Sequence, residues 1–178
     1  MSNEIVFTKV RDVKSPQQAY SFPAGTDLFI PEYSPGFRDD LVAKNPNKND
    51  YSLSVSLDVL SMSITLMPHG RINIPSGIKV DIKDKNTCLL VANKSGVASK
   101  KGLNHLAELI DADYHGEIHI NLYNTGSDPV TITTGEKITQ LMNIPIIYPV
   151  WKEVANSDFE SVVSVTTRGS NGFGSSGS

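Results

Sequence analysis

The chain has 178 residues, with 39% hydrophobic and 20% charged residues, which is typical of one globular domain with a sizeable core. Its formal net charge of −3 argues against general nucleic-acid binding, because such proteins usually carry a basic patch. A single cysteine, Cys88, excludes an intrachain disulfide. Neither a secretory signal nor a long apolar run is visible. These features predict no membrane association and a cytoplasmic location, or the host cytoplasm if the source is viral.

Short segments rich in β-branched residues dominate the chain and are separated by turn formers such as Pro68-His69-Gly70. Several segments alternate with period two, as Ile78, Val80 and Ile82 do, and this alternation indicates half-buried strands. Many short strands between turns predict an all-β fold, a sandwich, jelly roll or barrel. The predicted strands are 4–10, 28–30, 71–74, 78–82, 88–91, 117–123, 130–133 and 137–147.

One short helix is predicted after the middle of the chain. Ser95 is expected to cap it, residues 97–101 to form it, and Gly102 to end it. The segment 93–96 that opens this helix also contains Lys94. A helix N-terminus with a lysine and a hydroxyl could bind phosphate, although an ordinary capped helix has the same sequence signature.

Residues 34–68 differ in character from the rest of the chain. Residues 34–51 are polar and rich in turn formers, which predicts a surface loop. Two alternating apolar patterns follow, and their phase reverses at Val59-Leu60. Such a reversal exchanges the two faces of a strand, so it predicts a bulge or a tight bend. We therefore expect residues 35–64 to form an exposed extension.

An acidic cluster occupies residues 109–117. Asp111 follows two apolar residues, so we expect it to be partly enclosed, where a carboxylate can act as a general base towards water. Tyr114 offers a flat apolar face with a polar tip. Alternatively, the acidic residues are only turn formers. Side chains two residues apart on a strand share one face, so His115, Glu117 and His119 would lie on the same side. They could bind a transition metal there. Alternatively, they form a solvated edge of the sheet.

The C-terminal segment 167–178 combines glycine and serine with Arg168 and Phe173. Backbone N–H groups spaced by glycines, together with hydroxyls and a guanidinium, can bind phosphate oxygens. Phe173 could stack on a base. The alternative is a flexible linker, which this composition also fits.

Two further segments are Ala-Gly-Thr-Asp-Leu at 24–28 and Gly-Glu-Lys-Ile-Thr-Gln at 135–140. Taken together and in their order along the chain, these two segments and the segments around Lys94, Asp111 and Arg168 resemble the five motifs of the trimeric dUTP pyrophosphatase family. The resemblance implies a jelly-roll-like β-barrel over residues 1–166 and a homotrimer with three sites at subunit interfaces. A flexible C-terminal arm, residues 167–178, would close over a site. The implied reaction is hydrolysis of dUTP to dUMP and pyrophosphate, with Mg²⁺ as the cofactor. The matching segments are 24–28 (Ala-Gly-Thr-Asp-Leu), 94–96 (Lys-Ser-Gly), 110–117 (Ile-Asp-Ala-Asp-Tyr-His-Gly-Glu), 135–140 (Gly-Glu-Lys-Ile-Thr-Gln) and 168–177.

The resemblance also implies a role for each site residue. Asp111 would deprotonate the water that attacks the α-phosphorus, and Asp27 would orient the hydration shell of Mg²⁺. Tyr114 would lie beneath the deoxyribose, and Phe173 would cover the uracil. The residues implied to bind the phosphates are Lys94, Ser95, Gly96, Gln140, Arg168, Ser175 and Ser176. Those implied to bind deoxyuridine are Asn104, His105, Leu109, Ile110, Tyr114, His119, Phe173 and Gly174.

Some features depart from the family pattern. Lys94 stands where arginine is usual, Glu108 where glycine is usual, and His105 where an asparagine is expected. Residues 35–64 would be an insertion relative to compact members and could dock a protein partner. A dCTP deaminase of the same superfamily, alone or combined with dUTP hydrolysis, is an alternative that ammonia release would reveal. A further alternative is a protein of this fold with an added regulatory, protein-binding role.

Overall fold

The computed structural model describes residues 4–167 and residue 169. The chain forms two compact units, Met1–Ile147 and Tyr148–Ser178. In the second unit, the described residues form one helix, α3 (Asn156–Val162). The elements of the first unit are β1 (Ile5–Lys9), β2 (Thr26–Phe29), α1 (Pro35–Lys44), β3 (Tyr51–Ser56), β4 (Ser61–Leu66), β5 (Arg71–Ile82), β6 (Thr87–Asn93), α2 (Ser95–Lys101), β7 (Leu103–His105), β8 (Leu109–Ile110), β9 (Glu117–Asn124), β10 (Val130–Thr133) and β11 (Lys137–Pro145).

The strands of the first unit form three antiparallel sheets. Their strand orders are β1-β5-β9-β7, β10-β4-β3 and β2-β11-β6-β8. Alternation explains which faces are buried: in β9, Ile118, Ile120 and Leu122 are buried, and the residues between them are half-buried. The prediction of a mainly β fold is thus confirmed. The segments 71–74 and 78–82, predicted as two strands, are one strand, β5, whose pairing with β9 is irregular between Pro75 and Lys79.

Two groups of buried apolar side chains form the core. The larger joins α1 and the β3–β4 hairpin to strands β5, β9 and β10. The smaller lies among β2, β5, β6, β9 and β11 and includes Ile110 and Ala112. Along residues 4–167, no helix has the length and apolar character needed to cross a bilayer.

The segment predicted as a surface loop contains helix α1. The Ser34 hydroxyl accepts a hydrogen bond from the Phe37 N–H at 3.1 Å, and Pro35 occupies the first helical turn, a favourable start for a helix. Phe37 and Leu41 lie four residues apart on one face and are only 1% and 0% exposed. The prediction of an exposed extension is therefore wrong, because this face of α1 belongs to the core.

The phase reversal at Val59-Leu60 is confirmed as a tight bend. Strands β3 and β4 form a hairpin that is paired from Tyr51–Leu66 to Ser56–Ser61. Leu60, in the four-residue tip, has a φ of 46°, which is unusual for a residue other than glycine. Strand β4 turns its apolar face fully into the core, whereas the apolar side chains of the tip are exposed.

The prediction of a single helix is wrong, since the described residues form three helices. Helix α2 matches the predicted one and ends at Gly102, which has a left-handed φ of 62°, the conformation that glycine adopts without strain. Its N-cap, however, is Lys94 rather than Ser95, and no side chain caps the helix.

Candidate functional site

Sheet pairing brings together residues from three segments singled out in the sequence. Gln140 on β11 lies opposite Asp27 on β2 and, on the other side, opposite Ala92 on β6. Lys94 follows the end of β6 and donates a hydrogen bond to Asp27. Lys137, at the start of β11, also forms an ion pair with Asp27. We call Asp27, Lys94, Lys137 and Gln140 the cationic cluster.

Asp27 is the charged centre of this cluster. Its side chain is only 3% exposed, and Nζ of Lys137 lies 2.9 Å from its Oδ2. Burial opposes ionisation of this carboxyl group, but the hydrogen bond from Lys94 and the ion pair with Lys137 outweigh burial, so its pKa is lowered. Asp27 is therefore ionised at neutral pH. Two ammonium groups and one carboxylate leave the cluster with a net positive charge, which favours an anionic ligand.

Gln140 is fixed by the backbone around it. Its Nε2 donates to the carbonyl oxygen of Asn93 at 2.9 Å. A Cβ atom on Gly25 would lie 2.5 Å from the Gln140 Oε1, so any larger residue at position 25 would displace this amide. Ser95 and Gly96 begin α2 beside the cluster and are exposed.

A second group of predicted residues surrounds the turn from β8 to β9. These residues line a pocket of about 210 Å³, here called the Asp111 pocket. Ile110 is buried, whereas Leu109 and Asp111 are exposed. The expectation that Asp111 is partly enclosed is therefore not met within a single chain. The pocket is lined by Val91, Ala107, Leu109, Ile110, Asp111, Tyr114, Ile118, His119 and Asn121.

One backbone carbonyl orients two side chains of this pocket. The oxygen of Glu117 accepts hydrogen bonds from the Tyr114 hydroxyl at 3.0 Å and from the His119 Nδ1 at 2.8 Å. Because a carbonyl can only accept, the proton of neutral His119 lies on Nδ1. Burial, and then the charge of Lys44, lower the pKa of His119, so the ring is neutral at neutral pH. Gly116 is required here, since a Cβ atom would lie 2.3 Å from the Tyr114 hydroxyl oxygen.

Asn104 and His105, predicted to contact deoxyuridine, do not line the Asp111 pocket. His105 is buried, and its Nε2 lies 2.9 Å from the Thr139 hydroxyl, which donates to the carbonyl of Ala92. Burial lowers the pKa of His105. The Oδ1 of Asn104 accepts from Asn93 at 2.5 Å. In this chain the two residues connect β7 to β6 and β11.

The comparisons with known proteins agree with these motifs. A family model described as dUTPase matches residues 43–177. The deoxyuridine 5'-triphosphate nucleotidohydrolase of Aeromonas salmonicida is 36% identical over 155 residues, which are 86% of this chain and 90% of that protein. Its counterpart in Pseudomonas paraeruginosa is 34% identical over an alignment of 160 positions that covers 86% of this chain and 91% of that protein. The chain belongs to the dUTPase family.

The fold is also that of solved dUTPases. The Staphylococcus bacteriophage 80alpha dUTPase with dUPNHPP has a TM-score of 0.70 at 24% identity, over 99% of this chain and 100% of that chain. The dUTPase from phage phi11 of S. aureus, whose structure visualises a species-specific insert, has a TM-score of 0.61 at 21% identity, over 85% of this chain and 96% of that chain. At these identities the likeness shows the fold alone.

In this dUTPase-family chain, the structure gathers most of the described site residues into two groups and leaves Asn104 and His105 outside both. Asp27, Lys94 and Gln140 belong to the cationic cluster, and Asp111, with Tyr114 and other predicted residues, belongs to the Asp111 pocket. The hydrogen bonds and ion pairs of the described residues do not link the two groups directly. Five further predicted residues lie outside the described residues: Arg168, Phe173, Gly174, Ser175 and Ser176.

Among the described residues, the three side chains of the alternative metal site, His115, Glu117 and His119, are not arranged to hold a metal ion together. The Glu117 carboxylate turns to Arg11, and Nε2 of His115 lies 3.5 Å from Asp81. Within the part of the chain that the structure describes, no group of three or more His, Cys, Asp or Glu side chains is arranged to hold a metal.

Sequence reasoning missed two charged residues beside these groups. Lys137 adds the second ammonium group to the cationic cluster. It lies inside the segment 135–140, so strand pairing of that segment with β2 could have indicated it. Arg11 pairs with Glu117 across 106 positions, and nothing in the local sequence around Arg11 points to that pairing.

Proposed function

We propose that this chain hydrolyses dUTP to dUMP and pyrophosphate. The observation that carries the proposal is the pocket in which Asp111, Tyr114 and His119 meet, on a chain whose motif order is that of the dUTPase family. The carboxylate, the flat ring of Tyr114 and the neutral imidazole are suited to a nucleoside beside a polarised water. The cationic cluster supplies the positive charge that a triphosphate requires.

The proposed chemistry is attack of water on the α-phosphorus. Asp111 accepts a proton from the water, the new bond joins the water oxygen to the α-phosphorus, and the bond from that phosphorus to the β-phosphate oxygen breaks. Pyrophosphate leaves and dUMP remains. Tyr114 packs beneath the deoxyribose, where a 2′-hydroxyl would collide with its ring. Lys94 and Lys137 offset the charge of the phosphates, with Ser95, Gly96 and Gln140 as hydrogen-bonding partners.

Mg²⁺ is the cofactor that we propose for this reaction. This ion prefers oxygen ligands and keeps several waters, so substrate phosphates can supply most of its contacts. Asp27 already accepts from Lys94 and lies close to Lys137. It therefore suits the orientation of ion-bound water better than direct coordination. When bound, Mg²⁺ would neutralise charge on the leaving pyrophosphate.

We further infer a homotrimer with a jelly-roll-like barrel in each subunit and the active sites between subunits. Asp111 and Leu109 are exposed in a single chain, and no hydrogen bond or ion pair among the described residues joins the Asp111 pocket directly to the cationic cluster. A site made from two chains would enclose Asp111. The second chain would bring the lysines of its cationic cluster close to the α-phosphorus. Within the proposed domain, residues 1–166, strands β1 to β11 would form the barrel, and residues 167–178 would supply Arg168, Ser175 and Ser176 to the phosphates, and Phe173 and Gly174 to the uracil.

The proposed insertion, residues 35–64, could also bind a protein partner. Since α1 and β4 face the core, the contact would fall on the exposed hairpin tip, residues 57–60. The three apolar side chains of this tip would supply the contact: Leu57, Val59 and Leu60.

A nucleotide panel tests the proposed activity. The full-length chain with Mg²⁺ should release pyrophosphate from dUTP and much less from UTP, dTTP and dCTP, because the Tyr114 ring would exclude a 2′-hydroxyl and the family resemblance implies a site for uracil. Ammonia should not form from dCTP. Ammonia release would identify a deaminase, and pyrophosphate release from UTP at the dUTP rate would contradict the role given to Tyr114.

A further inference from the structure

Arg11, which follows β1, joins α1 to β9 through its guanidinium group. Its Nε and Nη2 donate to the two carboxylate oxygens of Glu117, at 2.7 Å and 3.0 Å. Nη2 also donates to Asp40 of α1 at 2.7 Å. The Arg11 and Glu117 side chains are only 17% and 13% exposed. This is the two-pronged, partly buried geometry in which an arginine–carboxylate pair is strongest.

The irregular part of β5 provides the room for this pair. Between Pro75 and Lys79 the pairing with β9 is interrupted, and the N–H of Gly77 donates to the Glu117 carboxylate at 2.7 Å instead. Gly77 has a φ of 76°, and a Cβ atom there would lie 3.1 Å from the Cβ of Arg11. Burial opposes ionisation of Glu117, but the hydrogen bonds from Arg11 and Gly77 outweigh it, so the pKa of Glu117 is lowered.

The backbone of Glu117 connects this pair to the Asp111 pocket. Its carbonyl oxygen is the shared acceptor for Tyr114 and His119, and both of these side chains line the pocket. The side chain of Glu117 is thus held from one side by Arg11, while its main chain orients two pocket residues on the other. A shift of the Glu117 backbone would move the Tyr114 hydroxyl and the His119 ring together.

We propose that Arg11 is a positioning residue for nucleoside recognition, acting on Tyr114 and His119 through Glu117. The inference rests on the proposed function, because it assigns Tyr114 to the sugar. Arg11 would hold the Tyr114 ring, through Glu117, close enough to the sugar to exclude a 2′-hydroxyl. Loss of the pair should therefore raise KM for dUTP more than it lowers kcat, and should weaken discrimination against UTP.

The test compares dUTP with UTP in three variants. Arg11→Met and Glu117→Gln should each reduce the dUTP/UTP ratio of kcat/KM by roughly tenfold, since displacements of about 1 Å in a site can cost up to ~10²-fold. The double variant should lose no more than either single one, because both break the same pair. Asp40→Asn is the matched control: it removes the negative charge that pairs Arg11 with α1, and it should keep the ratio of the unaltered chain.

A purely structural role predicts a different pattern. If Arg11→Met lowered kcat/KM equally for dUTP and UTP, or if Asp40→Asn changed the ratio as much as Glu117→Gln did, the inference would be wrong. Should Arg11→Met fail to fold, Arg11→Lys keeps the charge but cannot bind both oxygens, so it should give an intermediate ratio. An unchanged ratio in folded Arg11→Lys and Glu117→Gln would overturn the inference.

Binding measurements separate this inference from the proposed function. Calorimetry with a non-hydrolysable dUTP analogue and its ribose counterpart requires no turnover. If the unaltered chain bound the deoxy analogue preferentially but did not hydrolyse dUTP, the proposed activity would fail. A reduced preference in Glu117→Gln would then still support the role of Arg11, and an unchanged preference would refute it.

Discussion

Replacement of Leu41 by alanine tests whether α1 belongs to the core. Leu41 is 0% exposed and packs in the larger core group with Phe37 and Tyr51. Truncation of a fully buried leucine removes its burial and leaves a cavity, which lowers the free energy of unfolding by about 2–5 kcal/mol. With a urea dependence of about 2 kcal/mol per M, the unfolding midpoint should fall by roughly 1–2.5 M.

The same residue type at an exposed position provides the control. Leu57 lies in the hairpin tip of the same proposed insertion and is 72% exposed, so Leu57→Ala should change stability by less than about 0.5 kcal/mol. Urea unfolding would be followed by far-UV circular dichroism at equal chain concentration, because association affects apparent stability. If Leu41→Ala were as benign as Leu57→Ala, α1 would be a dispensable extension and the assignment of its buried face would be refuted.

Three further predictions concern catalysis and acid stability. Asp111→Asn should fold and bind a dUTP analogue but lose ~10²–10⁴-fold in turnover, because an amide cannot accept the proton of water; near-normal pyrophosphate release would remove Asp111 from the mechanism. A chain ending at Thr167 should remain trimeric by light scattering but hydrolyse dUTP at least ~10²–10³-fold more slowly, whereas the full-length rate would make the tail a linker. Glu117 has a lowered pKa, so its stabilisation is present above its unfolded pKa of about 4.3 and is lost as pH falls through the folded value. The difference in unfolding free energy between the unaltered chain and Glu117→Gln should therefore shrink below about pH 4, and a pH-independent difference would contradict the ion pair.

The sequence was most informative where structure depends on short-range periodicity. Period-two alternation located β9, because one face of that strand packs on the core, and the phase reversal at Val59-Leu60 indicated the bend of the β3–β4 hairpin. The end of α2 at Gly102 also followed from a local rule. Helix α1 was missed because its polar composition concealed a favourable cap at Ser34 and one buried apolar pair.

Long-range electrostatics could not be predicted in the same way. Arg11 meets Glu117, and Lys137 meets Asp27, only because strands distant in sequence become neighbours. The motifs indicated the family, and the family match confirms that prediction, yet the division of the motif residues into a cationic cluster and the Asp111 pocket depends on sheet order. The exposure of Asp111 was also missed, because local apolar neighbours do not determine whether a loop is covered.

Hydrolysis in ¹⁸O-labelled water tests the central proposal most directly. The full-length chain would be incubated with Mg²⁺ and dUTP, and both products would be analysed by mass spectrometry. Attack on the α-phosphorus by water activated at Asp111 predicts one ¹⁸O atom in dUMP and none in pyrophosphate. Label in pyrophosphate, or no dUMP from dUTP, would contradict the proposed reaction.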